Sequence, residues 1–300
     1  MAGIDLEVPR GEVFALLGPN GAGKTTTVEI LEGFRKRTAG EVSVLGIDLA
    51  HGGRRLRERI GIVLQECGID PYLTVIEAVR MHALRYPTSR PADELVELVG
   101  LADQRRQRVK TLSGGQQRRL DLALGLVGDP ELLFLDEPTT GFDPSARRAS
   151  WEVVRNLCSL GKTVLLTTHY MDEAQAIASH VAVMALGRIV AQGPPDTLAG
   201  RDHLATAIRC PLPAGVLPDG GGLPGLDLPV TVEAGTVTVE VPEGEDVARA
   251  LHRLTGWAVD GGHDLAGLTV SRPTLEDVYL RLTGTVPELT PGETAEGDRP

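Results

Sequence analysis

Cysteine is scarce in this chain: Cys67, Cys158 and Cys210 are the three, and none stands in CxxC spacing. An odd, scattered set excludes a disulfide framework and argues against a zinc site, so reduced, partly buried thiols are expected. Long apolar runs are missing too. Segments such as Val13–Leu17 and Leu132–Leu135 fall far short of the roughly 18 residues that span a bilayer, and no segment is expected to cross a membrane. The opening MAGIDLEVPRGE lacks a basic stretch followed by an apolar one, which predicts no secretory signal and a chain that stays in the cytosol. No repeat of 20–50 residues and no heptad run is present, which sets aside solenoids and long coiled coils. Positive charge is in deficit: 30 basic against 41 acidic residues give a net −11, and the last hundred residues hold 7 basic against 16 acidic. Such a field disfavours nonspecific nucleic-acid binding, and no nucleic-acid partner is expected.

What remains is a soluble, globular composition of 42% hydrophobic and 24% charged residues in 300 positions, a length that suits two domains of about 150 each. Short apolar segments (Val13–Leu17, Leu132–Leu135, Thr163–Thr167, Val181–Ala185) alternate with helical stretches through the first two thirds, the pattern of an α/β unit with a buried, mostly parallel sheet. Between about 70 and 130 the spacing is helical, over Val75–Arg85, Ala92–Val99 and Gly114–Val127, with Pro87 and Pro91 breaking the first pair. Residues 211–228 hold five Gly and four Pro in eighteen positions and read as a linker. Beyond it a hairpin (Val230–Glu233, Thr236–Val241), a helix (Asp246–Leu254), a strand (Leu268–Val270) and a helix (Thr274–Leu282) make a small α/β appendage over 229–284. The acidic, proline-containing ending, 285–300, is expected to be disordered.

The strongest chemical signal is Gly18-Pro19-Asn20-Gly21-Ala22-Gly23-Lys24-Thr25, which fits GxxxxGK[ST] between a strand and a helical run. Glycines let backbone N–H groups curl around a β-phosphate at a helix N-terminus, Lys24 adds a charge at the β- and γ-phosphates, and the Thr25 hydroxyl can ligate Mg²⁺. Alone, this motif says only nucleoside triphosphate. A second element is Leu132-Leu-Phe-Leu-Asp136-Glu137, a buried strand ending in two acids. Asp136 can hold Mg²⁺ through water, and Glu137, on the opposite side of the extended chain, can polarise the water that attacks the γ-phosphate.

With Leu112-Ser113-Gly114-Gly115-Gln116 placed between these two elements, the chain resembles the ATP-binding cassette (ABC) ATPases from residue 3 to about 200. The resemblance implies a P-loop cassette over 1–205, with an α/β core and a helical signature subdomain, that binds ATP and Mg²⁺ through residues 18–25 and Thr26. It implies Gln65 of IVLQE as the glutamine at Mg²⁺ and γ-phosphate, and His169 of TTHYMDEA as the switch histidine beside Glu137. Gly141-Phe142-Asp143-Pro144 matches the D-loop, with Phe142 in place of the usual Leu. Ser113 and the N–H groups of Gly114 and Gly115 open a helix and form an anion site; in the family that site faces the γ-phosphate on the other subunit, which implies a homodimer in the ATP-bound state. Related cassettes carry a further strand and an adenine-stacking aromatic ahead of a segment like Gly3–Gly11. No aromatic precedes Phe14 here, so a weakened base contact is expected, through a misassigned start or a real loss.

Arg105, Arg106, Arg108, Lys110, Arg118 and Arg119 cluster around the signature and read as a solvated helical face with local ion pairs. Gln117-Arg-Arg-Leu120 and the ending Pro273-Thr-Leu-Glu-Asp-Val-Tyr-Leu-Arg-Leu-Thr-Gly284 resemble bacterial drug-export ATPases of the daunorubicin-resistance type. Leu275, Val278, Tyr279 and Leu282 of that ending make an amphipathic helix suited to docking on the appendage. The resemblance implies the ATPase subunit of an exporter of drug-like or hydrophobic compounds, at the cytoplasmic face of a bacterial membrane, with a membrane-spanning permease on a separate chain. The alternative is a soluble ABC ATPase of DNA repair or translation, whose members carry long coiled-coil insertions or two cassettes in tandem.

Overall fold

The computed structural model describes residues 2–50, 53–63, 68–211, 228–233 and 235–283. The chain forms two compact units that divide between Pro195 and Asp196. The first runs in order through β1 (Val13–Leu17), α1 (Lys24–Leu31), a short hairpin of β2 (Ser43–Val44) and β3 (Ile47–Asp48), α2 (Gly53–Arg57) and β4 (Ile60–Val63). It continues through α3 (Val75–Ala83), α4 (Ala92–Leu98), α5 (Gly114–Gly125), β5 (Leu132–Asp136), α6 (Pro144–Ser159), β6 (Thr163–Thr168), α7 (Met171–Ile177), β7 (His180–Ala185) and β8 (Arg188–Gly193).

Continuous apolar runs become central strands because both faces of the sheet are covered: every residue of β1 and β6 is buried, as are the first four of β5. The sheet order is β4-β5-β6-β1-β7-β8, parallel throughout except for β8, which turns back along β7 as an edge strand of alternating exposure. Phe14, Leu16, Phe134 and Leu165 fill one core layer, with Ile4, Leu6 and Val8 packed against it. The helical stretch expected in the middle is present. Thr74 and Glu77 form a capping box that starts α3, and Ser113 and Gln116 form another that starts α5. Packing of α3 on α4 and α5 buries Val75, Val79, Leu95, Val96 and Leu120.

The second unit is a four-stranded antiparallel sheet with a helix on one face. Its strands β9 (Thr206–Pro211), β10 (Val230–Glu233), β11 (Thr236–Val241) and β12 (Thr269–Ser271) lie in the order β10-β11-β9-β12. Helix α8 (Val247–Gly261) is capped by Asp246, whose carboxylate accepts from the N–H groups of Ala248 and Arg249. It buries Ala250 and Leu254 on Ile208, Cys210, Val237, Val239 and Val241. Helix α9 (Leu275–Thr283) follows.

Two expectations are corrected. The first unit ends at Pro195 rather than 205, because Thr206–Pro211 is an inner strand of the second sheet, paired on both sides. The composition break at Pro211 marks the end of that strand, not the start of the domain. On α9, Leu275, Val278 and Tyr279 are buried as an amphipathic helix requires, but Leu282 is exposed. Cys158 and Cys210 are free thiols, Cys210 within the second core. Residues 212–227, Cys67 and the ending 285–300 lie outside the described residues.

Candidate active site

Parallel pairing brings three strand tips together. Leu17 of β1 sits opposite Thr168 of β6, and Thr167 of β6 sits opposite Asp136 of β5. The loop after Leu17, the acid after Asp136 and the histidine after Thr168 therefore leave the sheet at one edge, where an open parallel sheet binds its ligands.

Local chain chemistry shapes the loop. Gly23 caps α1 at φ 105° with no side-chain acceptor on the first-turn N–H groups, a left-handed backbone that suits glycine and leaves those donors for an anion. Gly18 has no room for a side chain, since a Cβ would lie 2.5 Å from the Met184 carbonyl oxygen of β7. Lys24 folds back over this loop. Its Nζ donates to the carbonyls of Gly18 at 2.6 Å and Pro19 at 3.3 Å. Burial pushes the Lys24 amine below its ordinary pKa, while Glu137 and Asp136 pull it back up. Thr25 is exposed at the mouth, and Thr26 is half-buried beside it.

Asp136 Oδ1 accepts from the Thr167 hydroxyl. Glu137 has φ 44°, in the left-handed region that a non-glycine residue enters only when held there. Its N–H donates to the Thr167 carbonyl at 3.1 Å and Thr167 Oγ1 at 3.2 Å. Glu137 Oε1 lies 3.1 Å from His169 Nδ1, and Oε2 accepts from the Thr140 hydroxyl at 3.1 Å. The hydrogen bond from His169, with the nearby Lys24 charge, holds the Glu137 carboxyl below the usual carboxylate range. The His169 and Tyr170 rings lie 4.1 Å apart between centroids, tilted by 38°, and the Arg147 guanidinium lies over the Tyr170 ring at 4.5 Å.

The structure thus gathers Gly18 through Thr26, Asp136, Glu137 and His169 at one edge. Gln65 lies outside the described residues. The signature residues and Asp143 cap their own helices: Gln116 N–H donates to Ser113 Oγ at 3.3 Å, Ser113 N–H donates to Gln116 Oε1 at 2.9 Å, and Asp143 accepts from the N–H groups of Ser145 and Ala146. Ser113 and Gly114 are exposed while Leu112 is buried. Thr25 and Asp136 supply hard oxygen donors suited to Mg²⁺. Among the described residues no group of three acidic, histidine or cysteine side chains could hold a metal ion by itself.

Three positions escape sequence reasoning. Glu32, just past α1, is buried, and that burial together with Asp136 and Glu29 raises its pKa to about 7. Glu173 is fully buried; it accepts from the Thr139 hydroxyl at 3.0 Å and Trp151 Nε1 at 3.2 Å, and burial raises its pKa. Arg118 belongs to none of the surface ion pairs expected of the arginine cluster: its side chain is 10% exposed and bonds to backbone beside Glu137. Only its place on the inward side of α5, four residues before the buried Leu122, hinted at this.

Comparison with known proteins agrees with this geometry. The ABC transporter family model matches residues 1–140, and a model for the C-terminal domain of ABC transporter domain-containing protein-like proteins matches 206–274. The chain is 40% identical to the daunorubicin resistance ATP-binding protein DrrA3 of Streptomyces coeruleorubidus, over 94% of this chain and 90% of that one. It is 37% identical to the Nod factor export ATP-binding protein I of Cupriavidus pinatubonensis, over 94% of this chain and 85% of that one. Among solved structures it resembles cbiO1 from Clostridium perfringens, part of the transporter complex cbiONQ, at 32% identity and TM-score 0.59 over 65% of this chain and 81% of that one. It also resembles the dimeric post-hydrolysis cassette MJ0796 bound to ADP and phosphate, at 26% identity and TM-score 0.57 over 64% and 88%. The fold is that of an ABC cassette. The chain belongs to the ATP-binding subunits of ABC transporters, of the daunorubicin-resistance type.

Proposed function

We propose that this ABC ATPase subunit hydrolyses ATP to energise export of a drug-like or hydrophobic compound through a membrane-spanning permease carried on a separate chain. The observation that carries the hydrolytic part is the Glu137–His169 pair, one strand away from the P-loop lysine and kept ionised at neutral pH. In this reading the residues 18–26 cradle the phosphates, with Lys24 exchanging its loop carbonyls for β- and γ-phosphate oxygens. Glu137 accepts the proton of the attacking water, and His169 holds that carboxylate and the γ-phosphate in one geometry. Thr25, Asp136 and Gln65 would hold Mg²⁺, which neutralises charge on the β- and γ-oxygens when bound. Ser113–Gln116 and Asp143 complete the site of a second copy in an ATP-bound homodimer.

The export assignment rests on relatives named for daunorubicin resistance and Nod factor export. No described helix is long and apolar enough to cross a membrane, which suits attachment to the cytoplasmic face of the bacterial membrane through the permease. The test is co-expression with a candidate membrane-spanning permease, followed by ATPase and efflux measurements with hydrophobic cargo. Cargo should stimulate turnover and leave the cell only when Glu137 is intact. Efflux that continues with Glu137→Gln would overturn the reading.

A further inference from the structure

The arginine pair after the signature divides its labour. Arg118 Nη2 donates to the Asp136 carbonyl at 2.7 Å and Nε donates to the Pro138 carbonyl at 3.1 Å, so one guanidinium spans the two carbonyls on either side of Glu137. The neighbouring Arg119 instead donates to the Gly100 carbonyl, at 3.5 Å. A planar fork with donors along one edge can bridge two acceptors that a lysine ammonium cannot hold together. The Arg118 charge is shielded from water and faces Asp121, which lies 4.0 Å away and is buried as deeply.

Glu137 needs such a clamp. Its φ of 44° is unfavourable for a residue with a Cβ, so its peptide keeps that shape only where the surroundings dictate it. Thr167 takes its N–H from the β6 side. Arg118 holds the flanking carbonyls from the α5 side. Arg118 also sits one turn into the helix whose first turn is the signature, and that turn is fixed by the Ser113–Gln116 capping box. A shift of the signature end of α5 therefore pulls on the backbone that aims Glu137.

We propose that Arg118 is a positioning residue that couples the signature helix to the Glu137 carboxylate of the same subunit. The proposal rests on the reading above, in which Glu137 is the base and the signature meets the partner's ATP. Under it, ATP seated against the signature sets the aim of Glu137 in the other site, and the two hydrolysis sites fire cooperatively.

The experiment measures full-chain ATPase activity against ATP concentration, with melting temperature and nucleotide affinity, for wild type, Arg118→Gln, Arg118→Lys, the double variant Arg118→Gln/Asp121→Asn that removes the buried charge pair together, Arg119→Gln and Glu137→Gln. A misplacement of about 1 Å at a catalytic group lowers rate by roughly 100-fold. We expect kcat to drop by that order in the three Arg118 variants, lysine included, with KM for ATP within about threefold of wild type and the Hill coefficient falling toward one; Arg119→Gln should match wild type. Wild-type kcat and cooperativity in the double variant, with Glu137→Gln inactive, would overturn the proposal while leaving the base in place. Equal loss of kcat and ATP affinity in every Arg118 variant would reduce Arg118 to a packing role and overturn it too. Turnover surviving in Glu137→Gln would remove the base, and the proposal with it.

Discussion

Replacing Glu137 with Gln is expected to separate binding from hydrolysis, and the structure says why the protein should otherwise stay intact. The substitution keeps side-chain length and shape, so φ 44° is no worse than before. The new amide oxygen can still meet His169 Nδ1, now at 3.1 Å from Oε1, and the amide nitrogen can donate to the Thr140 hydroxyl, now 3.1 Å from Oε2. What is lost is a carboxylate kept ionised by His169 and Lys24, and with it the proton acceptor. A general base contributes about 10²–10⁴-fold, or roughly 3–5 kcal/mol of barrier at about 1.4 kcal/mol per decade. Steady-state phosphate release should therefore fall by at least about 100-fold. Removing a negative charge from beside the γ-phosphate should leave ATP affinity equal or higher, so the variant ought to accumulate as a closed Mg-ATP dimer in light scattering while wild type does not. Turnover within about fivefold of wild type, or a variant that stays monomeric at saturating ATP, would refute the assignment of Glu137.

Lys24→Ala removes an ammonium poised between loop carbonyls and phosphates; a charge-assisted contact is worth roughly 1.5–3 kcal/mol, so isothermal titration should show ATP binding about ten- to a hundred-fold weaker. Glu32 carries a pKa raised to about 7 from an ordinary 4.5. Its protonated form therefore favours the folded state fully at pH 4–5 and that contribution is lost as pH rises through about 7, so Glu32→Gln should raise the melting temperature by roughly 2–4 °C at pH 8 and change little at pH 5, as differential scanning calorimetry can check. A chain ending at Pro195 should remain folded and bind ATP, whereas one ending at 211 keeps β9 without its partners β11 and β12 and should aggregate in size-exclusion chromatography. Chelating Mg²⁺ should weaken ATP binding, and Asp136→Asn should lessen that dependence in the same titration while abolishing turnover.

How much of this was legible in the residues follows from whether the signal is local. The P-loop, the apolar run into Asp136-Glu137 and the helix that Ser113 opens are set by neighbours within a turn or a strand, and each lies where its spacing placed it. The strand order was not legible: β1 sits between β6 and β7, residues more than a hundred positions away, which brings the P-loop beside β6, and the pairing of β5 with β6 brings His169 to Glu137. Boundaries failed where composition and tertiary pairing disagree. Pro211 begins a glycine- and proline-rich stretch, yet it pairs with Thr236 as the last residue of β9. Arg118 was misread for a related reason. Charge clusters are usually solvated, and nothing within the helix says that two carbonyls 18 and 20 positions away will take this one guanidinium out of water.

The charges at the strand tips explain why this site should not bind nucleotide well by its loop alone. Asp136, Glu137 and the buried carboxyl of Glu32 form an acidic floor, and each acts on its neighbours: Asp136 raises the pKa of Glu32, and Asp136 and Glu137 both steady the charge of Lys24. One buried ammonium faces these carboxylates before any phosphate arrives. A triphosphate adds several more negative charges at close range, where effective dielectric is low and like-charge repulsion is strong. First-turn amides of α1 supply only partial positive charge. A divalent cation held by Asp136 and Thr25 would offset that repulsion, whereas the Glu137 carboxylate meets His169 and Thr140 instead. The two adjacent acids thus take different tasks from their positions: Asp136 ends a strand with its side chain tied to Thr167, and Glu137 turns out of it through a left-handed residue toward the histidine.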